Sequence, residues 1–167
     1  MTPPHLDIDG LGPDDVPHLE HAIRLAYAAR DRGDHPFGAI LVTPDGTIVE
    51  GLNSVETGRD PTGHAETNLV RLASARYSTS ELRGLTLYTS TEPCAMCSGA
   101  IYWSGIGTVV YALAESELYE MTGSDDTNPT LVLPCRTVFA AGRRPVVVEG
   151  PFAIDEARDV HAGFWHP

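Results

Sequence analysis

The sequence predicts an α/β domain whose sheet contains both parallel and antiparallel strands. Strand patterns alternate with helix patterns along the chain, which is typical of layered α/β domains. The segment PFGAILVTPDGTIVEGLN contains two strands joined by a tight turn at Pro44, Asp45 and Gly46. Because such a hairpin is antiparallel, we expect the sheet to be mixed rather than wholly parallel. The length, 167 residues, fits a single domain over residues 1–167.

The part of the chain before this hairpin is expected to hold one helix. Residues 1–14 are rich in Pro, Gly and Asp and are predicted to be irregular. Asp15 is suited to capping a helix, and Leu19 and Ile23 recur after it at helical spacing. Gly33 is predicted to close this helix, because glycine readily adopts the left-handed conformation found at helix ends.

The remainder of the chain continues the alternation of helices and strands. The helix patterns are DPTGHAETNLVRLAS (which begins in a loop), PCAMCSGAIYWSG, the short ESELYEM and the C-terminal FAIDEARDVHAGFW. The strand patterns are LTLYTS, GTVVYAL and RPVVVEG. Pro93 is expected at the start of the second of these helices, and Gly105 at its end.

Composition and charge limit the partners of the protein. The formal net charge is -12, which disfavours binding to the phosphate backbone of nucleic acids. No apolar run reaches the ~20 residues of a membrane-spanning helix, so we expect no membrane partner. The N-terminal sequence MTPPHLDIDG lacks the basic and apolar regions of a signal peptide, and a cytoplasmic protein is therefore expected.

One histidine and two cysteines are candidate ligands of a metal ion. His64 lies near the start of one predicted helix, and Cys94 and Cys97 lie in the first turn of another. Cysteines three residues apart lie on the same side of a helix, so both sulfurs can reach one ion. Zinc accepts this mixture of ligands, and three protein ligands leave a fourth position for water, as in catalytic sites. Cys135, in the expected strand edge VLPCRT, is either a fourth ligand or a buried free thiol.

Glu66 follows His64 by two residues and is the candidate general base. Its carboxylate is expected to face the water at the metal without binding the metal, and to pass the proton of that water to the substrate. The order H-x-E and then P-C-x-x-C is the sequence mark of the zinc-dependent nucleobase deaminases. The rival interpretation, a purely structural zinc module, has no use for a base beside an open coordination position.

At these motifs the chain resembles the cytidine deaminase superfamily. The phrases PFGAILV, DPTGHAET and LYTSTEPCAMCSGAIYWSGIGTVVY are similar to the branch that contains bacterial guanine deaminases and tRNA adenosine deaminases. The resemblance, over about residues 20–128, implies a three-layer α/β/α sandwich on a mixed five-stranded sheet. It also implies a homodimer, a zinc ion held by His64, Cys94 and Cys97, and Glu66 as the proton shuttle.

The resemblance further implies residues that contact a substrate base. Asn53, in the second strand, and the backbone amide of Ala65 are expected to hold the base. Phe37 is either a ring beside the base or a plain core residue. Trp103 either lines the pocket or packs at the end of its helix.

The C-terminal segment, residues 150–167, departs from the family pattern. In similar proteins this segment caps the active site, so we expect a lid here that includes His161, Phe164 and Trp165. Ordinary aromatic packing of a terminal helix is the alternative. The departure leaves the substrate open within the deaminase class.

The acidic loop TGSDDTNPT resembles the loop of guanine deaminases, in which a second carboxylate helps to move protons. Asp125 or Asp126 is the candidate for that role, and a solvated loop is the alternative. The expected reaction is the conversion of guanine to xanthine plus ammonia. Cytosine, isoguanine, ammeline and cytidine are alternative substrates, and the acidic net charge disfavours a tRNA adenosine deaminase.

Overall fold

The computed structural model describes residues 11–123, 126 and 129–165. It contains a five-stranded sheet with the strand order β2-β1-β3-β4-β5. The strands are β1 (Gly38–Val42), β2 (Ile48–Leu52), β3 (Thr86–Thr91), β4 (Thr108–Leu113) and β5 (Val147–Glu149).

The sheet is mixed, as the hairpin predicts. Strand β1 pairs antiparallel with both β2 and β3, whereas β4 runs parallel to its neighbours β3 and β5. The carboxyl ends of β3 and β4 therefore lie side by side at one edge of the sheet. Open α/β sheets commonly bind ligands beyond the carboxyl ends of their strands, so a binding site is expected there.

Eight helices accompany the sheet in the described part of the chain. They are α1 (Asp15–Asp31), α2 (Val55–Gly58), α3 (Ala65–Ser74), α4 (Thr79–Leu82), α5 (Ala95–Ser104), α6 (Glu115–Thr122), α7 (Cys135–Ala140) and α8 (Asp155–Asp159). The short helices α2, α4 and α7 were not evident from periodicity, because four to six residues are too few to establish it.

Helices cover both faces of the sheet and create two hydrophobic cores. One core joins α3, α5 and α7 to the sheet through residues such as Leu69, Ile101 and Phe139. The other joins α1, α6 and α8 to the opposite face through residues such as Ile23, Leu118 and Ala157. This arrangement confirms the predicted three-layer α/β/α sandwich with a mixed five-stranded sheet.

Two glycines allow helices to lie very close to the hairpin. A Cβ atom on Gly38 would lie 2.3 Å from the carbonyl oxygen of Ala22 in α1. A Cβ atom on Gly51 would lie 2.3 Å from the carbonyl oxygen of Ala65 in α3. The absence of a side chain at Gly51 therefore allows α3, which begins just after His64, to pack closely against the sheet.

Three boundaries differ from the expectations. The N-cap of α1 is Asp14 rather than Asp15, whose carboxylate instead accepts hydrogen bonds from the amide of Gly12 and the hydroxyl of Tyr88. Pro93 precedes the N-cap residue of α5, Cys94, by one position. Of the expected terminal helix only α8 forms, and the chain continues in turns that include Gly163, with φ 66°.

The strand edge expected at Cys135 is wrong. Cys135 is the first residue of α7, and its backbone amide donates to the carboxylate of Glu92, 3.0 Å away. Pro134, which cannot donate to a strand ladder, lies directly before it and serves as the N-cap.

Among the helices of the described residues, none combines the length and the apolar character that a membrane-spanning helix needs.

Candidate active site

Three side chains from the N-terminal ends of two helices meet beyond the carboxyl end of β3. His64 is the N-cap of α3, Cys94 is the N-cap of α5, and Cys97 lies in the first turn of α5. The Nδ1 atom of His64 lies 3.5 Å from Sγ of Cys94 and 3.6 Å from Sγ of Cys97. The three ligand atoms all lie within 4.8 Å of one another. The structure thus brings together the three residues that the sequence singles out as metal ligands.

The spacing of these atoms fits a zinc ion. Zinc–sulfur and zinc–nitrogen bonds of about 2.3 and 2.0 Å at a tetrahedral angle place N and S about 3.5 Å apart. The observed separations, 3.5 and 3.6 Å, match that value. One imidazole and two thiols also form the donor set that zinc prefers over the hard cations magnesium and calcium.

The electrostatics of the cluster favour one thiolate. The hydrogen bond from Cys97 lowers the pKa of Cys94 to about 4, with a further contribution from His64. The same contact with Cys94, together with burial, raises the pKa of Cys97 well above its usual value. Burial alone would lower the pKa of His64, but the hydrogen bond with Cys94 and the charge of that thiolate raise it. A cation at this position would replace the shared protons.

Cys135 is not part of the cluster. Among the described His, Cys, Asp and Glu side chains, the group within metal-binding range consists of His64, Cys94 and Cys97. Cys135 is fully buried at the start of α7, and burial raises the pKa of its thiol to about 12. Of the two interpretations of Cys135, a fourth metal ligand or a buried free thiol, the structure supports the buried free thiol.

Glu66 lies in the first turn of α3 and points into the same site. Only 5% of Glu66 is exposed, and its Oε1 accepts a hydrogen bond from the hydroxyl of Thr89, 3.0 Å away on β3. Burial, followed by the charge of Cys94, raises the pKa of Glu66. A carboxyl group with a raised pKa takes up a proton more readily than an ordinary glutamate, which suits a general base.

These residues line a cleft of about 340 Å³. Glu66, Glu92 and Glu115 contribute carboxyl groups to its lining, together with His64 and Cys94. Apolar side chains, among them Phe37, Met96, Leu118, Leu131 and Trp165, complete the walls. A concave apolar site with a few converging polar groups is the usual form of a small-molecule pocket.

Glu92 holds the edge of this cleft together. Its Oε1 accepts the amide of Cys135, at 3.0 Å, and its Oε2 accepts the amide of Glu115, at 3.1 Å. Glu92 follows β3, so one carboxylate joins the end of that strand to the starts of α6 and α7. The role of Glu92 is therefore to fix the loops that shape the cleft.

Glu115 is a site residue that the sequence reasoning missed. It is the first residue of α6, is 5% exposed and contacts the Tyr119 hydroxyl at 2.5 Å. Burial raises the pKa of Glu115 to about 7, the hydrogen bond with Tyr119 opposes the rise, and Cys94, Glu92 and Glu66 add to it. Glu115 lies two residues after β4, which runs parallel to β3. The carboxyl ends of neighbouring parallel strands lie side by side, so this position could have identified Glu115 as a site residue from the sequence.

Asn53 directly follows β2, and Ala65 begins α3 directly after the ligand His64. The side chain of Asn53 is fully buried, and its Oδ1 accepts the amide of Val55 at 3.1 Å. The Nδ2 atom of Asn53 has no hydrogen-bond partner among the described atoms. Ala65 is the first residue of α3, so its amide has no acceptor within the helix.

An aromatic cluster forms one wall of the cleft. The ring of Phe37 lies 5.2 Å from that of His161 and 6.0 Å from that of Trp165. Trp165 donates its Nε1–H to Nδ1 of His161, 3.3 Å away, and also stacks on that ring. Burial lowers the pKa of His161 to about 4, so this histidine is neutral.

The C-terminal segment is anchored to α1. The guanidinium of Arg30 donates to the carbonyl oxygens of Val160, at 2.7 Å, and Ala162, at 2.9 Å. It also lies over the ring of Phe164, 5.8 Å from the ring centre. These contacts place Trp165 at the cleft.

Besides the metal ligands, five expected site residues do not line the cleft, and a sixth, Asp125, lies outside the described residues. The five are Asn53, Ala65, His161, Trp103 and Asp126. Trp103 is 83% exposed at the end of α5, where its ring contacts Tyr102, and it is not a lining residue. Asp126 is exposed and does not line the cleft either.

The fold and the site define the class of the protein. A histidine and two cysteines at helix starts, next to a buried glutamate in an α/β/α sandwich, form the arrangement of a zinc-dependent hydrolytic deaminase. The profile of the cytidine and deoxycytidylate deaminase zinc-binding region matches residues 14–113, so the chain belongs to this family.

Individual relatives act on different bases. A probable cytosine deaminase of Schizosaccharomyces pombe is 43% identical over 152 residues, which cover 90% of this chain and 92% of the relative. The guanine deaminase of Bacillus subtilis is 42% identical over 110 residues, which cover 65% of this chain and 70% of the relative. A guanine deaminase structure from Nitrosomonas europaea has a TM-score of 0.68 at 26% identity, covering 95% and 97%. The chain is thus a nucleobase deaminase, and the family supplies zinc as its metal.

Proposed function

We propose that this protein hydrolyses free guanine to xanthine and ammonia. The observation that carries the proposal is the acidic lining of the cleft. Glu66, Glu92 and Glu115 supply three carboxyl groups, and the described lining residues include no arginine. Guanine is neutral and offers several N–H donors, which suit a site rich in acceptors. Two of the three relatives above are guanine deaminases.

The same lining disfavours nucleotides and RNA. A phosphate group near Glu66, Glu92 and Glu115 would be repelled by those that are ionised, and the described lining offers it no arginine. The net charge of -12 adds long-range repulsion. We therefore place the substrate among free bases rather than among nucleic acids.

Glu66 is the proton carrier in the proposed reaction. Zinc, when bound by His64, Cys94 and Cys97, supplies Lewis-acid activation of water at neutral pH. The carboxyl group of Glu66 would accept one proton of the attacking water and deliver it to a ring nitrogen. It would then carry the second proton of that water to the amine, which departs as ammonia. The raised pKa of Glu66 supports this role, because a base must also be able to release the proton as an acid.

The base is held by groups around this centre. The Nδ2 of Asn53 and the amide of Ala65 donate to acceptors of the base in the proposal, and Phe37 contacts its ring. The unpartnered state of Asn53 Nδ2 among the described atoms supports this, because buried donors are rarely left unpaired. In the proposal, Asp125 or Asp126 is the candidate for a second proton carrier.

We further propose that the whole chain is one deaminase domain and that residues 150–167 act as its lid. The anchoring of this segment by Arg30 and the position of Trp165 in the cleft wall support the lid. His161, buried between Phe37 and Trp165, fixes its inner surface.

Cytosine is the second candidate substrate. The probable cytosine deaminase matches 90% of this chain at 43% identity. That coverage exceeds the 65% matched by the Bacillus enzyme.

A homodimer completes the proposal. Helix α5 is apolar around its circumference, which is typical of a helix covered on two sides. One side, with Cys97 and Ile101, is buried in the core, whereas Trp103 on another side is 83% exposed. Light scattering on Trp103→Glu is expected to show monomers where the wild-type chain forms dimers, and unchanged mass would refute this interface.

An ammonia-release assay on the zinc-loaded protein tests the substrate. Guanine, isoguanine, ammeline, adenine, cytosine and cytidine are compared by kcat/KM. We expect guanine to be the best substrate by at least about tenfold, a difference of 1.4 kcal/mol in transition-state binding. Preference for cytosine would favour the second candidate, and release of ammonia from none of them would refute the function.

A further inference from the structure

Glu115 is a buried acid in the cleft that the reaction described above does not use. It is 5% exposed, lines the cleft with Glu66 and His64, and is held in place from two sides. Its backbone amide donates to Glu92, at 3.1 Å, and its Oε1 contacts the hydroxyl of Tyr119, at 2.5 Å. Burying a carboxyl group is costly unless it has partners, so its position requires an explanation.

The contacts of Tyr119 show how Glu115 is arranged. The hydroxyl of Tyr119 also lies 2.9 Å from the carbonyl oxygen of Leu131, yet a phenol has one proton to donate. Whichever of the two oxygens receives that proton, Tyr119 occupies Oε1 of Glu115. A carboxyl group has about four lone-pair positions, so Glu115, which lines the cleft, keeps acceptor capacity in either protonation state.

We propose that Glu115 is a specificity-determining residue that accepts a hydrogen bond from one ring N–H group of the substrate base. The inference rests on the proposed function, because it presupposes a free base in the cleft. It distinguishes bases by the position of their ring donors rather than by the amine that is removed. The site should consequently reject a base that carries a methyl group on the nitrogen facing Glu115.

The geometry supports a binding role over a purely structural one. The neighbouring carboxylate, Glu92, has both oxygens bonded to backbone amides, whereas the side-chain hydrogen bond of Glu115 to Tyr119 involves Oε1. A carboxyl group needed only for packing could be an apolar side chain, like its neighbour Leu118 in the same wall. Sites built to hydrogen-bond a substrate donor reject analogues that lack it far more strongly than apolar pockets do.

The test compares methylated bases on matched variants. The substrates are guanine, its 1-, 3-, 7- and 9-methyl derivatives, cytosine and 1-methylcytosine. Each is assayed with the wild type and with the variants Glu115→Leu, Glu115→Ala and Glu115→Gln. Glu117→Leu is the control, because Glu117 is exposed on the same helix. Dissociation constants measured by calorimetry on zinc-loaded protein in the Glu66→Gln background provide a readout that does not depend on turnover.

We expect one methyl position to be strongly rejected by the wild type. In Glu115→Leu and Glu115→Ala the ratio of kcat/KM between the parent base and that methylated base should fall at least about tenfold. Glu115→Gln, which retains an acceptor oxygen, and Glu117→Leu should keep the ratio within about threefold.

Two outcomes would overturn the inference. One is an equal loss for all bases in both deletion variants, which indicates a structural role. The other is an unchanged methyl preference in a folded Glu115→Ala. If no base releases ammonia, the proposed function fails, and the calorimetric series then decides separately whether Glu115 reads a ring donor.

Discussion

The hydroxyl of Thr89, in the middle of the central strand β3, donates a hydrogen bond to Oε1 of Glu66, 3.0 Å away. Thr89 is 1% exposed, and the same hydroxyl also lies 3.0 Å from the carbonyl oxygen of Thr91. The rigid sheet thus holds one oxygen of the catalytic carboxyl group. Orientation of this kind is what a scaffold contributes to general base catalysis.

Thr89→Val should lower kcat with little change in KM. The substitution keeps the shape of the side chain and removes the donor, so Glu66 loses its orientation while the cleft keeps its form. We expect a loss of about tenfold, the value of one hydrogen bond of 1–2 kcal/mol. Thr86→Val, at the start of the same strand, is the control and should behave as the wild type in steady-state assays.

Glu66→Gln should keep zinc and lose turnover. The amide has the size of the carboxyl group but cannot carry a proton between water and substrate, and general acid–base groups contribute about 10²–10⁴-fold. Metal content by mass spectrometry and rates of ammonia release are measured on the same sample. A variant that retains full activity would exclude Glu66 as the proton carrier.

Cys97→Ser should abolish stoichiometric zinc binding. The hydroxyl is a poor replacement for a thiolate ligand, and two remaining ligands do not hold the ion against a chelator. Cys135→Ser is the matched control, because Cys135 is equally buried but lies outside the cluster. Equal zinc content in the two variants would contradict the assignment of the ligands.

His161 should make the folded state sensitive to acid. Its pKa is lowered from 6.5 to about 4 in the fold, so below pH 6.5 the unfolded chain binds a proton that the folded chain does not. The contribution of His161 to the free energy of unfolding is fully present above pH 6.5 and is lost as the pH falls towards about 4. The free energy of unfolding should lose up to about 3 kcal/mol in this window from His161 alone.

Denaturant titrations of wild type and His161→Gln across this range measure the effect. The difference between their unfolding free energies should change with pH, because glutamine does not titrate. Parallel pH profiles for the two proteins would show that His161 is not the group responsible.

Gly51→Ala should disturb the metal site through the packing of α3. The new Cβ atom would lie 2.3 Å from the carbonyl oxygen of Ala65, so the start of α3 must move. We expect a destabilisation of about 2 kcal/mol or more, together with weaker zinc binding through displacement of His64. Gly84→Ala, whose Cβ would lie 3.6 Å from the nearest atom, is the control for melting temperature and zinc affinity.

Much of the chemistry was readable from the chain alone. His64, Glu66, Cys94 and Cys97 are identifiable in sequence because metal ligands of this kind require particular residue types at short spacings. The hairpin around Gly46 and the alternation of elements predicted the mixed sheet, and both the fold class and the family are confirmed. These features depend on local patterns, which a linear sequence carries directly.

The tertiary structure decided what surrounds that centre. Glu115 and Glu92 come together because they follow the neighbouring parallel strands β4 and β3. The hydrogen bond from Thr89 to Glu66 depends on the packing of α3 against the sheet, which no spacing along the chain predicts. The tertiary structure also placed Trp103 outside the cleft and Cys135 in a helix away from the metal ligands. The sequence by itself determined the ligands and the base, since their chemistry is specific to residue type. Burial, hydrogen-bond partners and the shape of the cleft depend on contacts between distant segments, and only the folded chain decides those.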